Sequence, residues 1–236
     1  MNEATREKLM GVSVATLASV LYKRGLRNQV IQGVHPLGWK GRNMVGPAFT
    51  LRYIPAREDR NPMSVFRDPA HPQRVAIETC PPGAVLVMDS RKQANAASAG
   101  DILITRLMMR GGAGVVTDGG FRDAAVIAEL EIPAYHTRPS SPTNLTNNEA
   151  IALHEPIGCG DAPVFPGDII VGDADCVIVI PAEMADECAD EAVEMTAYED
   201  FVVEKVETGT PIIGLYPRTM DEYLPEFEAW RAAHHR

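Results

Sequence analysis

The chain has 236 residues, 45% of them hydrophobic and 23% charged, with a formal net charge of −10. Those proportions describe an ordinary globular protein with a core of its own. The apolar runs are too short for a membrane helix, and the acidic balance argues against a broad nucleic-acid footprint, which needs clustered Lys and Arg to neutralise phosphate.

Residues 3–23 read as one amphipathic helix, with Leu9, Val12, Val14, Leu17, Val20 and Leu21 at helical spacing and Arg24-Gly25 as its stop. The opening stretch mixes acids with bases and lacks the uninterrupted apolar core of a signal peptide. Residues 43–53 are extended, with Pro47 marking an edge or a bulge. Residues 55–72 are polar and proline-rich, a surface loop that folds over a neighbour or a site. A short helix over 73–79, a turn at Pro81-Pro82-Gly83 and a buried strand over 84–88 follow.

A helix over 102–109 is opened by Gly100-Asp101 and stopped by Arg110-Gly111-Gly112. A strand over 113–117 follows, then the turn Asp118-Gly119-Gly120, a short helix over 123–130 and a strand over 132–136. Residues 138–148 are turns and 150–158 are extended. Short strands over 169–172 and 176–180 pair, after a turn at 165–168. A long acidic helix over 182–207 ends at Thr208-Gly209, and a last helix is expected near 224–233, with His234 and His235 disordered at the terminus. Many short strands with interspersed helices predict a layered α/β sandwich rather than a barrel of eight βα units. Gly111-Gly112-Ala113-Gly114 precedes a strand instead of following one, so it does not make a dinucleotide-binding fingerprint. Cys80, Cys159, Cys176 and Cys188 show neither zinc spacing nor a dense disulfide pattern, and reduced thiols in a cytoplasmic protein are expected.

The chemistry concentrates between residues 99 and 124, where Asp101, a spacer of twenty residues (102–121) and the pair Arg122-Asp123 occur in order. The turn after the 113–117 strand brings Arg122 and Asp123 near the start of the helix that begins at Asp101. One guanidinium and two carboxylates then share a small space with first-turn backbone N–H groups, an arrangement suited to a divalent metal with a small carboxylate substrate. Each residue also has a plain structural role open to it. Asp123 precedes Ala124-Ala125-Val126 and fits a helix N-cap. Asp101 fits an acid favoured by the helix dipole, and Arg122 a surface ion pair. Asp118 reads as a turn residue, as do Asp168 and Asp173. His71, His136 and His154 are isolated, without HxH or HExxH spacing.

These residues resemble the signature of the class II, metal-dependent pyruvate aldolases related to 4-hydroxy-4-methyl-2-oxoglutarate aldolase, which share their fold with the regulator of ribonuclease activity A. The likeness extends over most of the chain. It takes in residues 21–37, the Gly46-Pro47-Ala48 strand, Val115 to Gly119 before Arg122-Asp123, and Phe165 to Asp168 through Val179-Ile180-Pro181. The resemblance implies an α/β/β/α sandwich of the swivelling-domain type over residues 1–236, with a helical segment near 182–236 packing on a neighbouring subunit in a homotrimer or hexamer. It implies a lyase that cleaves a 4-hydroxy-2-oxo acid to pyruvate and a carbonyl compound, with oxaloacetate decarboxylation as a side activity. Asp123 would be the direct ligand of Mg²⁺ or Mn²⁺, and Asp101 the second acid, holding one of the metal's waters. Arg122 would clamp the substrate carboxylate or enolate oxygen, with Gly100 and the N–H groups of Ile102 and Leu103 beside it. Glu199 would reach a neighbouring subunit's metal; the acidic helix carrying it fits a solvated face equally well. The ribonuclease regulators lack the acid at the position of Asp101, so a non-enzymatic partner of a ribonuclease is the competing class. A lyase acting on sugar-derived 2-oxo-3-deoxy acids is the third. Two departures bear on substrate identity: residues 57–73 form a longer insert, and residues 91–96 replace a glycine-rich stretch.

Overall fold

The computed structural model describes residues 1–217 and 223–234. The helix expected over 3–23 is two helices, α1 (Glu3–Met10) and α2 (Val14–Lys23). Gly11 closes the first, its N–H donating to the Lys8 carbonyl at 3.0 Å. Ser13 starts the second, its hydroxyl accepting from the Thr16 N–H at 3.0 Å. A short hydroxyl side chain satisfies a first-turn donor better in an extended cap than in a helix interior, so the chain breaks there without losing its apolar spacing.

The other elements follow in order: β1 (Val30–Ile31), β2 (His35–Pro36), β3 (Met44–Pro55), α3 (Pro72–Thr79), β4 (Val85–Asp89), β5 (Ala97–Ala99), α4 (Asp101–Met109), β6 (Gly114–Thr117), β7 (Gly120–Phe121), α5 (Ala124–Glu129), β8 (Ala134–His136), β9 (Arg138–Pro139), β10 (Asn148–Leu153), β11 (Ile157–Cys159), β12 (Ala162–Val164), β13 (Ile169–Gly172), β14 (Val177–Ile180), α6 (Ala185–Glu207) and α7 (Leu224–His234). His234 thus closes α7, its ring stacked 4.3 Å from that of Trp230, rather than trailing free; His235 lies outside the described residues.

Nine strands form the main sheet, in the order β1-β14-β13-β3-β4-β6-β8-β2, with β10 also on β3. Strands β3, β4, β6 and β8 are parallel neighbours, and β13 lies antiparallel to β3. The long strand β3 changes partner along its length: Met44 to Pro47 pair with β13, and Ala48 to Arg52 with β4. Pro47 stands at the hand-over. It therefore marks neither an edge nor a bulge but the point where one ladder gives way to another, where a missing N–H is tolerated.

Alternation along the strands builds three apolar layers. Leu86 and Met88 pack with Ile77, Ile104, Leu107 and Ile127 beneath α3, α4 and α5. Val85 and Val87 point the other way, joining Ile170, Val177 and Val179 and the β11–β12 hairpin in a central core. Ile169, Val171, Ile178 and Ile180 face outward again, against α1, α2 and α6. The sheet therefore curls on itself around a shared inner layer, with helices outside both halves: an α/β/β/α sandwich. Helix α6 seats small residues, Ala185, Cys188, Ala189 and Ala192, on α1 and α2 of its own chain. Part of its acidic face pairs with Lys8, Lys23 and Arg24. The four cysteines are free. Among the described residues no helix is long and apolar enough to cross a membrane.

Candidate active site

A second, three-stranded sheet assembles the Asp101…Arg122-Asp123 motif. Strands β5 and β7 are parallel neighbours, with Ala97 opposite Gly120 and Ala99 opposite Phe121. The residues that follow them, Gly100-Asp101 and Arg122-Asp123, consequently leave the same end of that sheet. The Arg122 N–H donates to the Ala99 carbonyl at 3.1 Å. Gly100 makes the approach possible: a Cβ there would lie 2.7 Å from Arg122 Cγ and 3.2 Å from Asp123 Oδ2.

Asp123 occupies the cap position of α5 in left-handed backbone, φ 55° and ψ 35°, and its side chain makes no cap bond. Its Oδ2 instead accepts from Arg122 Nε at 3.2 Å. A left-handed aspartate costs some conformational energy, and here the cost aims the carboxylate at Gly100 and the start of α4. The Arg122 and Asp123 side chains are 52% and 41% exposed, so their pair is screened and readily exchanged for a ligand. Asp101 is the first residue of α4 and half-buried. Its Oδ1 accepts from the Ile102 N–H at 2.8 Å, which leaves the Asp101 and Leu103 N–H groups as first-turn donors without an acceptor among the described residues. The Ile102 N–H, expected to face the substrate, is here engaged by Asp101, and the Ile102 side chain is 78% exposed.

These groups line a cavity of about 530 Å³. Its opposite wall comes from places the sequence motif does not reach. Met63 and Phe66 belong to the 57–73 insert, which forms a short 3-10 turn over Met63–Arg67 and does fold over the site. Gln73 and Arg74 come from the first turn of α3, and Thr143 and Asn144 from the segment before β10. Gln73 is buried, its amide donating to the Ser98 carbonyl at 2.5 Å and to Asn144 Oδ1 at 3.3 Å. None of these four has a motif to announce it: Gln73 and Arg74 arrive through the first turn of α3, whose Gln73 amide reaches the Ser98 carbonyl, and Thr143 through its bridge to Ala97 of β5.

Below the cavity, Ser90, Ser98 and Thr117 share hydroxyl hydrogen bonds of 2.6 to 3.1 Å that tie the ends of β4, β5 and β6 together. Asp118 is a buried brace, accepting from the backbone N–H groups of Ser90 (2.6 Å), Lys92 (3.0 Å) and Gly160 (3.2 Å). Burial pushes its carboxyl up to about 6 against the pull of those donors. Asp168 and Asp173 likewise accept from backbone N–H groups in their turns. His71, His136 and His154 do not line the cavity.

Glu199 lies elsewhere in the chain. Its carboxylate accepts from Thr16 Oγ1 at 2.9 Å and from the Tyr216 hydroxyl at 3.0 Å, in a separate cavity of about 600 Å³ between α2, α6 and the C-terminal segment. Among the described residues, no group of three or more His, Cys, Asp or Glu side chains is placed to hold a metal. Asp101 and Asp123 remain as two hard oxygen donors at one cavity.

The chain belongs to the RraA-like family, whose model, described as Aldolase/RraA, matches residues 14–179. It is 37% identical over 110 residues to a protein of Halalkalibacterium halodurans named "Putative 4-hydroxy-4-methyl-2-oxoglutarate aldolase", a match covering 45% of this chain and 50% of that one. It is 24% identical over 208 residues to protein DlpA of Legionella pneumophila, covering 87% of this chain and 32% of that protein. The chain thus spans half of the first relative's length and about a third of the second's. Among solved structures it is similar to RraAS2 of Streptomyces coelicolor, described as an unusual member of the RNase ES inhibitor RraA family. That likeness has a TM-score of 0.75 and 30% identity over 85% of this chain and 96% of that one. The family and the layered α/β fold agree with the sequence reading.

Proposed function

We propose that this protein is a divalent-metal-dependent lyase that cleaves a 4-hydroxy-2-oxo acid to pyruvate and a carbonyl compound, with oxaloacetate decarboxylation as a side activity. One observation carries the proposal: Arg122, Asp123 and Asp101 converge with a first-turn N–H of α4 on a single cavity. The similarity to an aldolase-named relative supports it.

The donor set suits Mg²⁺ or Mn²⁺. Such cations use one or two carboxylates and leave other positions to water and substrate oxygens, and no thiol or imidazole lines the cavity to favour a softer metal. Asp123 would hold the cation directly, with Asp101 beside it. When bound, it supplies Lewis-acid stabilisation of the charge that develops on the C2 oxygen as the C3–C4 bond breaks. The protein's own groups do the rest. Arg122 presents a planar fork that matches the C1 carboxylate, and exchanging its exposed pair with Asp123 for that ligand costs little. The Leu103 N–H and the positive end of α4 add anion stabilisation. No lysine stands among the lining residues, so an imine route has no amine in the cavity.

Arg122→Ala and Asp123→Ala are each expected to lower turnover by roughly 10²–10³-fold with the fold retained by circular dichroism; full activity in either variant refutes the site. A second reading, a non-enzymatic regulator of a ribonuclease, is favoured by the likeness to RraAS2. A ribonuclease pull-down that survives Asp101→Ala in a protein without lyase activity would establish it. For the assembly we propose a ring-shaped trimer, or two stacked rings, in the cytoplasm. There Glu199, which lines a different cavity in its own chain, would serve a neighbouring subunit's site.

A further inference from the structure

The cavity holds a second arginine that the lyase chemistry above leaves unused. Arg74 stands in the first turn of α3, on the wall made by the insert. It is half-buried, and desolvation lowers its pKa below the usual guanidinium range. One face lies over the Phe66 ring, 4.5 Å from the centroid. Nη1 donates to the Gln73 amide oxygen at 3.2 Å, a neutral acceptor. Among the described residues no carboxylate lies within ion-pair distance of it, in contrast to Arg106, Arg110 and Arg122, which all have one.

A structural arginine that gives up water recovers the cost through a carboxylate partner. Arg74 recovers part of it from the aromatic face and has N–H groups to spare. Phe66 and Gln73 fix a fork that is charged, oriented and aimed at the cavity. Arg122 already serves as the clamp for the carboxylate next to the reacting carbonyl.

We infer that Arg74 is a specificity-determining residue that reads a carboxylate at the far end of the substrate, so the site selects 4-hydroxy-2-oxo diacids over those with a neutral tail. The assignment rests on the lyase function proposed above. It sets aside sugar-derived 2-oxo-3-deoxy acids, whose hydroxyl tail would leave a desolvated guanidinium without a counter-charge. It also gives the 57–73 insert a role, since Phe66 supplies the ring that holds Arg74.

Two substrates differing only at C5 test it: 4-hydroxy-2-oxoglutarate, with a carboxylate there, and 4-hydroxy-2-oxopentanoate, with a methyl. Both release pyruvate. With Mg²⁺ or Mn²⁺ present, the wild-type protein is expected to prefer the diacid in kcat/KM by roughly 10²-fold. Arg74→Met, which keeps the contact with Phe66 and removes the charge, is expected to erase that preference through KM on the diacid. It should leave the monoacid within about twofold, and Arg74→Lys should recover part of the loss. Equal effects of Arg74→Met on both substrates, or none on either, overturn the assignment. Calorimetric binding of the unreactive pair 2-oxoglutarate and 2-oxopentanoate reads the same contrast without turnover. If the wild-type protein releases pyruvate from neither substrate yet binds the diacid analogue through Arg74, the lyase function fails and the subsite stands. If turnover occurs without the contrast in either assay, the subsite fails and the lyase stands.

Discussion

Asp123 shows how one residue's backbone serves the site. Its left-handed conformation is one that Asn also adopts readily and Ala does not. Asp123→Asn is therefore expected to keep the wild-type thermal midpoint and lose metal-dependent turnover, while Asp123→Ala loses turnover and some stability as well. An Asn variant with wild-type activity would show that the charge is not needed. Asp118 looks similar in sequence and acts differently, since both its oxygens are used by backbone donors. Asp118→Asn turns one acceptor into a donor facing those N–H groups and should cost about 2 kcal/mol in urea unfolding; an unchanged midpoint would count against the brace. His136 is buried, stacked 5.5 Å from Phe121, and its Nδ1 has no partner among the described residues. Burial pushes its pKa down to about 4, so the folded chain refuses a proton that the unfolded chain takes near 6.5. Stability from this group is complete above pH 6.5 and is lost as pH falls toward 4, by about 3 kcal/mol in all. Asp118 acts in the opposite sense, its burden appearing as pH rises from 3.8 to about 6. Comparing His136→Phe with wild type isolates the histidine: the variant should lose less stability between pH 7 and 5, and parallel profiles would disprove it.

At the scale of elements, the spacing of Asp101, Arg122 and Asp123 was legible because α4 and β6 are apolar runs bounded by glycine stops. What joins the two ends was not legible. Strands β5, β7 and β9 have two or three residues each, too few for a period-two pattern to register. Their register depends on pairing partners distant in sequence. The break between α1 and α2 was hidden for the opposite reason: the apolar spacing runs through it, and only the Gly11 and Ser13 cap chemistry ends one helix and starts another. The β5–β7 junction predicts that Gly100→Ala displaces the Arg122 side chain by its 2.7 Å contact with Cγ. Because that neighbour is flexible, stability should barely move while turnover falls roughly tenfold or more. Undiminished turnover would place Arg122 outside the working geometry.

For the whole molecule, the layered α/β class followed from many short strands among helices, but the curl of the sheet did not. The curl arises because β3 is long enough to pair with β13 at one end and β4 at the other, so residues of both halves meet in one inner layer. The Arg74 wall was invisible for a related reason: nothing in residues 57–74 shows that Phe66 and Arg74 line the same cavity as the Asp101 and Arg122-Asp123 motif. The proposed ring assembly predicts a trimeric or hexameric mass by light scattering under assay conditions, and a fully active monomer contradicts it.

The most direct measurement follows pyruvate from oxaloacetate with protein stripped by EDTA, then with Mg²⁺ or Mn²⁺ restored. Pyruvate formation that appears only with metal, and is lost in Arg122→Ala, is the predicted result. No pyruvate with either metal, or equal formation in the stripped protein, contradicts a metal-dependent lyase.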